Sequence, residues 1–172
     1  MTTTLGGYPY RLTPFKMLEM YLSLFTQNKN LHLGVTQKGD TYQPWNYDST
    51  WVSVDAYQNF LQQNAIIGMQ NVISGASGTA RKLQGLKTQF PGYYFYAKTG
   101  TINEQTAKGR SSRRLIVIVS NKDLVNTTFD SNTKVYGWFF AVDNTGDFDW
   151  NLLQEIIKTS MNATSFKYYF TR

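Results

Sequence analysis

Lys98, Thr99, Gly100 and Thr101 stand together at the end of an aromatic run, Tyr94-Phe95-Tyr96-Ala97. The run reads as a β-strand, because aromatic side chains suit a pleated, half-buried surface. A cation, two hydroxyls and a glycine at the end of such a strand make a compact receptor for an anion. Lys98 supplies a point charge. Thr99 and Thr101 supply hydroxyl donors. Gly100 has no side chain in the way, so a ligand or a second backbone can come close.

The charge around this stretch is uneven. The chain of 172 residues carries a net charge of +6. Between Arg81 and Arg114 eight cations (Arg81, Lys82, Lys87, Lys98, Lys108, Arg110, Arg113 and Arg114) face one acid, Glu104. Such a field would draw in an anionic ligand. The plainer expectation for residues 110–114 is a solvated basic hairpin loop. A nucleic-acid interface needs basic residues interleaved with exposed aromatics. Here the aromatics fall mostly inside strand-like runs, so that reading ranks low.

The length suits one domain or a large piece of one. With 41% hydrophobic and 16% charged residues the chain can build a core. No cysteine is present, which excludes disulfides and thiolate metal sites. No apolar run approaches the length of a membrane span, and the first residues lack the pattern of a signal peptide. No metal or cofactor site is read from the residues. The lone His32 sits in a turn-rich segment and is read as structural or solvated.

The elements that must position the strand follow from periodicity and punctuation. Thr13-Pro14 opens a first helix, with Phe15, Leu18, Leu22 and Phe25 at helical spacing and Met17 and Tyr21 widening the stripe. Residues 31–50 are turn-rich. Ser53 reads as the N-cap of a long buried helix carrying Tyr57, Leu61, Ala65, Met69 and Val72, thickened by Ile66, Ile67 and Ile73. Gly75 is its expected C-cap. Residues 77–83 suggest a third helix, and Gly85 and Pro91-Gly92 break the chain before the strand. A polar loop is expected from Thr101 to Ser112.

Leu115-Ile116-Val117-Ile118-Val119 reads as a strand covered on both faces. Val135 to Val142 reads as a third strand. Asp147 or Asp149 caps a last helix with Leu153, Ile156 and Ile157 inward. The tail from Ser165 is aromatic and basic, a short strand or a packed end. Short connections between sequential strands imply antiparallel pairing. The fold class is therefore α+β: helices, a three-stranded antiparallel sheet, and a C-terminal helix packed on it. Residues 1–91 are mainly helical, 92–162 hold the sheet and its helix, and 163–172 form the tail.

Taken in order, these pieces resemble the C-terminal half of a penicillin-binding transpeptidase domain, in the serine β-lactamase and DD-peptidase superfamily. Thr13-Pro14-Phe15-Lys16-Met17, running on to Tyr21 and Leu24, is similar to the family's "TP…Y…L" helix. Gly68-Met69, Val72 and Gly78-Thr79-Ala80 are similar to its "GM…V…GTA" segment. Ala97-Lys98-Thr99-Gly100-Thr101 resembles its "KTGT" strand. The likeness spans nearly the whole chain. It departs in two places. No serine here has lysine three residues on, so the family's Ser-x-x-Lys nucleophile is missing. The one Ser-x-Asn, Ser160-Met161-Asn162, follows the Lys-Thr-Gly instead of preceding it and reads as coincidence. In the family's order both elements would lie upstream of Met1.

The resemblance implies acyl transfer on D-alanyl-D-alanine stem peptides, or acylation by a β-lactam. It gives Lys98 the polarising role, and the Thr99 and Thr101 hydroxyls the substrate's terminal carboxylate. Gly100 belongs to the same binding strand, and the Thr101 N–H is an oxyanion donor. It implies a partial transpeptidase-like fold, an extracytoplasmic (periplasmic) location through an anchor outside this sequence, and no cofactor. Without the nucleophile the chain alone is expected to be inactive. The Val135–Val142 strand would then have an open edge bearing Trp138, Phe139 and Phe140. That edge would suit a homodimer or the missing half of the fold. The alternatives are a non-catalytic binding or scaffolding module derived from this fold and, less favoured, a small basic nucleic-acid binder.

Overall fold

The computed structural model describes residues 13–26, 55–103, 111–127, 130–143 and 147–171. Their order is α1 (Pro14–Thr26), α2 (Asp55–Ser74), a 3-10 turn (Arg81–Leu83), α3 (Gly85–Gln89), β1 (Tyr94–Asn103), β2 (Ser111–Ser120), β3 (Val135–Val142), α4 (Trp150–Asn162) and α5 (Thr164–Thr171). The architecture is α+β, with five helices and one three-stranded antiparallel sheet among the described residues. No helix among them is long and apolar enough to cross a membrane.

The sheet has the order β1-β2-β3, with Tyr96 opposite Ile118 and Ile118 opposite Gly137. Successive side chains alternate between its faces. Phe95, Ala97, Leu115, Val117, Val119 and Trp138 enter one core with Leu153, Ile157 and Met161 of α4 and Phe166 of α5. Tyr96, Ile116 and Ile118 enter the other with Met17, Tyr21, Leu22 and Phe25 of α1. Helix α2 serves both, giving Ile66 and Met69 to the α1 side and Ile73 to the α4 side. The apolar run of β2 is thus covered on both faces. At Gly137 an added Cβ would lie 2.8 Å from the Leu18 side chain, so the glycine lets α1 approach β3 closely.

The ends of several elements follow local chemistry. The Thr13 side chain accepts from Lys16 N at the start of α1. Asp149 caps α4 by accepting from Asn151 N and Leu152 N. The turn before β1 uses Pro91-Gly92, with Gly92 at φ +87, where a side chain would be strained.

Other expectations are corrected. Gly85 does not break the chain but begins α3, and within 77–83 only Arg81–Leu83 is helical, as a 3-10 turn. Phe15, Ile67 and Ile156 are exposed instead of inward. Strand β1 does not end at Thr101; it runs through the Lys-Thr-Gly-Thr to Asn103, paired throughout with β2. The tail is a packed end, and helical. Phe166 is buried and stacks on Trp138 and Phe170, while the Tyr169 hydroxyl donates to Val135 O. Strand β3 pairs on one side only among the described residues. Of its aromatics, Trp138 is buried and donates to Ser160 Oγ, Phe139 and Phe140 are half-buried, and Tyr136 is exposed. Ser53 and His32 lie outside the described residues.

Candidate functional site

The site begins where α2 ends. Gly75 N donates to Asn71 O, Gly78 N to Gly75 O, and Ala80 N to Val72 O, all near 3 Å. The chain therefore folds back against the last turn of α2. At Gly78 an added Cβ would stand 2.5 Å from Val72 O and 2.8 Å from Asn71 O, so only glycine fits there. Ala80 is fully buried in the α4-side core. Between these two anchors Thr79 is presented to β1, and its hydroxyl meets the Thr99 hydroxyl at 2.7 Å. The Gly78-Thr79-Ala80 segment and the Lys98-Thr99-Gly100 strand are joined through this contact.

A cleft of about 390 Å³ opens beside that contact. Thr79, Thr99 and Thr101 supply hydroxyls to it; Arg81, Lys82 and Arg113 supply positive charge. Phe148 and Trp150, at the approach to α4, form an apolar wall. Arg113 is there because the β1–β2 register places it opposite Thr101. Arg81 is held by a bond from Nη1 to Ala76 O, and Lys82 O accepts from Gln154 of α4. Among the described residues the single carboxylate of the cleft is Asp147, 3.6 Å from Arg113. The Phe148 N–H it accepts holds Asp147 below the usual carboxylate range, with further help from Trp150 and the nearby charges of Arg113 and Lys82. Hydroxyl donors and cations converging on one hollow are groups with which a carboxylate or a similar anion can pair.

Lys98 does not line this cleft. Strand alternation sends Lys98 and Gly100 to the opposite face from Thr99 and Thr101. There Lys98 borders a small cavity of about 10 Å³ with Met17, Tyr21, Arg114 and Ile116. Its Nζ donates to the Thr99 carbonyl. Thr99 and Gly100 border both hollows, so the four residues straddle the strand instead of forming one receptor. Arg113 and Arg114 are likewise not a solvated loop. They lie within β2 and pair with Asp147 and Asp143 across opposite faces. Lys108 and Arg110 lie outside the described residues.

Burial pulls the Lys98 pKa below its ordinary value of 10.5. In the window between the folded and the ordinary value the unfolded chain binds more protons, so this group makes stability rise with pH there. Below that window its charge opposes folding. Lys98→Met is therefore expected to stabilise the fold at neutral pH, and its advantage over the wild type to shrink as pH rises through the ordinary lysine range. Urea midpoints of both proteins at neutral and at high pH check this. An advantage that does not change with pH would remove desolvation as the cause.

Comparison with protein-family profiles, with curated proteins and with solved structures finds no match to this chain. The site is therefore defined by its own geometry. Thr99 and Thr101 line one cleft, and Thr79, Arg113 and Asp147 join them from other elements. Thr79 was visible in the sequence as part of a motif, but not as a partner of Thr99. Arg113 could have been placed only by knowing the hairpin register, which fixes the face of every residue on β2.

Proposed function

We propose that this chain carries the carboxylate-binding part of a penicillin-binding, peptidoglycan transpeptidase-like domain, with a partial fold of the serine β-lactamase and DD-peptidase type. The observation that carries the proposal is the Thr79–Thr99 contact at the mouth of the cationic cleft. Two separate motifs of the resemblance, far apart in sequence, meet there in one anion site. The ligand is a D-alanyl-D-alanine terminus or a β-lactam. Its carboxylate takes hydroxyl bonds from Thr99 and Thr101 and charge from Arg113. Lys98 acts from the other face of the strand, through the Thr99 carbonyl and its own field. The nucleophilic serine has no candidate in this sequence, so these residues bind and orient and do not turn over. In the complete domain such a site works outside the cytoplasm.

The test is a nitrogen-15 NMR titration with N-acetyl-D-alanyl-D-alanine. Shifts are expected at Thr79, Thr99, Thr101 and Arg113, and the double variant Thr99→Val, Thr101→Val is expected to bind at least about tenfold more weakly. Each hydroxyl bond to a carboxylate contributes about 1.5–3 kcal/mol. Benzylpenicillin should bind at the same residues and leave the intact mass unchanged. A stoichiometric adduct, or a double variant that binds like the wild type, would overturn the proposal. The missing Ser-x-x-Lys favours a second reading, a binding module without catalysis. Its mark is the same titration result in a native protein that contains no further segment.

A further inference from the structure

Asp149 is the N-cap of α4, accepting from Asn151 N and Leu152 N, and Asp147 stands two residues before it. Asp147 accepts from Phe148 N at 2.8 Å, and its Oδ1 lies 3.6 Å from Arg113 Nη1 inside the cleft. Arg113 stands opposite Thr101 on β2. Its Nε is buried and has no hydrogen-bond partner among the described residues. The guanidinium beside the threonine hydroxyls is thus met by a carboxylate of its own chain and still holds an unused donor.

We propose that Asp147 is an internal competitor, whose carboxylate occupies the place on Arg113 where a ligand's carboxylate would pair, and so sets the affinity of the cleft for anions. The inference deepens the carboxylate-binding reading and rests on its premise that the cleft takes an anion. The geometry suits a partner that yields. At 3.6 Å the pair is longer than a charge-assisted hydrogen bond, which runs about 2.7–2.9 Å. Both side chains reach solvent, half-buried Arg113 at 36% and Asp147 at 54%. Exposed pairs of this kind shift an equilibrium by no more than about fivefold. A ligand that brings two oxygens can pair with the Arg113 guanidinium and take bonds from the threonine hydroxyls of the same cleft. The negative charge of Asp147 also repels any anion in the cleft, so both effects act in the same direction.

The experiment measures binding of sulfate and of N-acetyl-D-alanyl-D-alanine to the wild type, Asp147→Asn and Asp143→Asn. Asp143 is a control for net charge, since it pairs with Arg114 on the other face of β2. Asp147→Asn is expected to bind both probes about three- to tenfold more tightly. Asp143→Asn is expected to stay within about twofold of the wild type. If sulfate tightens and the peptide does not bind, the competitor role stands and the peptide reading falls. If the peptide binds the wild type and Asp147→Asn equally, the competitor role falls and the peptide reading stands. Equal gains in both variants, or no binding of either probe to any protein, would also overturn the inference.

Discussion

Replacing Gly78 by alanine is expected to lower stability by about 3 kcal/mol, at the upper end of overpacking costs. The new Cβ would lie 2.5 Å from Val72 O and 2.8 Å from Asn71 O. Both are backbone atoms of the last turn of α2, so neither can swing away as the tip of a flexible side chain can. Val72 O also accepts from Ala80 N, and that bond seats the fully buried Ala80. Relief of the clash must therefore lengthen a bond that anchors the segment or move α2 itself. Gly68 offers the contrast. It lies inside α2, an added Cβ meets nothing within 4 Å, and alanine there is expected to stabilise by roughly 0.5–1 kcal/mol. Chemical denaturation of the two variants separates the cases. A Gly78→Ala protein as stable as the wild type would mean that the fold-back does not hold Thr79. The clash also has a local readout, because Thr79 sits one residue on. Its hydroxyl contact with Thr99 should be disturbed even where the variant still folds, and the amide signals of the cleft should shift.

These two glycines show what a sequence displays and what it hides. Both belong to one motif-like stretch and look equivalent on paper. Only the path of the chain after α2 makes one of them indispensable. Elements whose signals are local were legible. Thr13-Pro14 opens α1, and β3 runs from Val135 to Val142. The β-branched run at the centre of β2 is buried on both faces. Elements whose bonds come from elsewhere were not. The Lys-Thr-Gly-Thr looked like a strand end, because glycine and hydroxyls commonly punctuate. Yet Gly100 is paired with Arg114 and Thr101 with Arg113, in a ladder that runs on to Asn103. That ladder also decides the site: it sends Lys98 to one face and Thr99 and Thr101 to the other. The charges of Arg113 and Arg114, read as a solvated turn, became one cleft cation and one cation of the opposite face. The tail was ambiguous for a similar reason. Phe166 and Phe170 are four residues apart, which suits a helix, but Trp138 and Tyr93 supply the surface that makes the helix worthwhile.

Helical periodicity fixes the centre of a buried stripe better than its margins, and α4 turns this into a large and unequal pair of effects. Ile157→Ala is expected to cost about 3–4 kcal/mol, in the middle of the range for emptying a packed isoleucine site. Ile156→Ala should fall within about 0.5 kcal/mol of the wild type, as exposed substitutions do. Ile157 has no exposed surface and joins the core formed by Leu115, Val117, Trp138 and Leu153. Its neighbour Ile156 is 41% exposed. Sequence spacing places both inward, so the contrast tests the seating of the helix and not merely its existence. The seating matters for chemistry. Helix α4 begins at Trp150, which with Phe148 walls the cleft, and Gln154 ties it to Lys82 O. A cavity under Ile157 should let the start of α4 drift, loosening the apolar wall and the Asp147 carboxylate beside Arg113. Equal costs at the two positions would mean that α4 is rotated about its axis relative to the sheet. The wall of the cleft would then have to be rebuilt from other side chains.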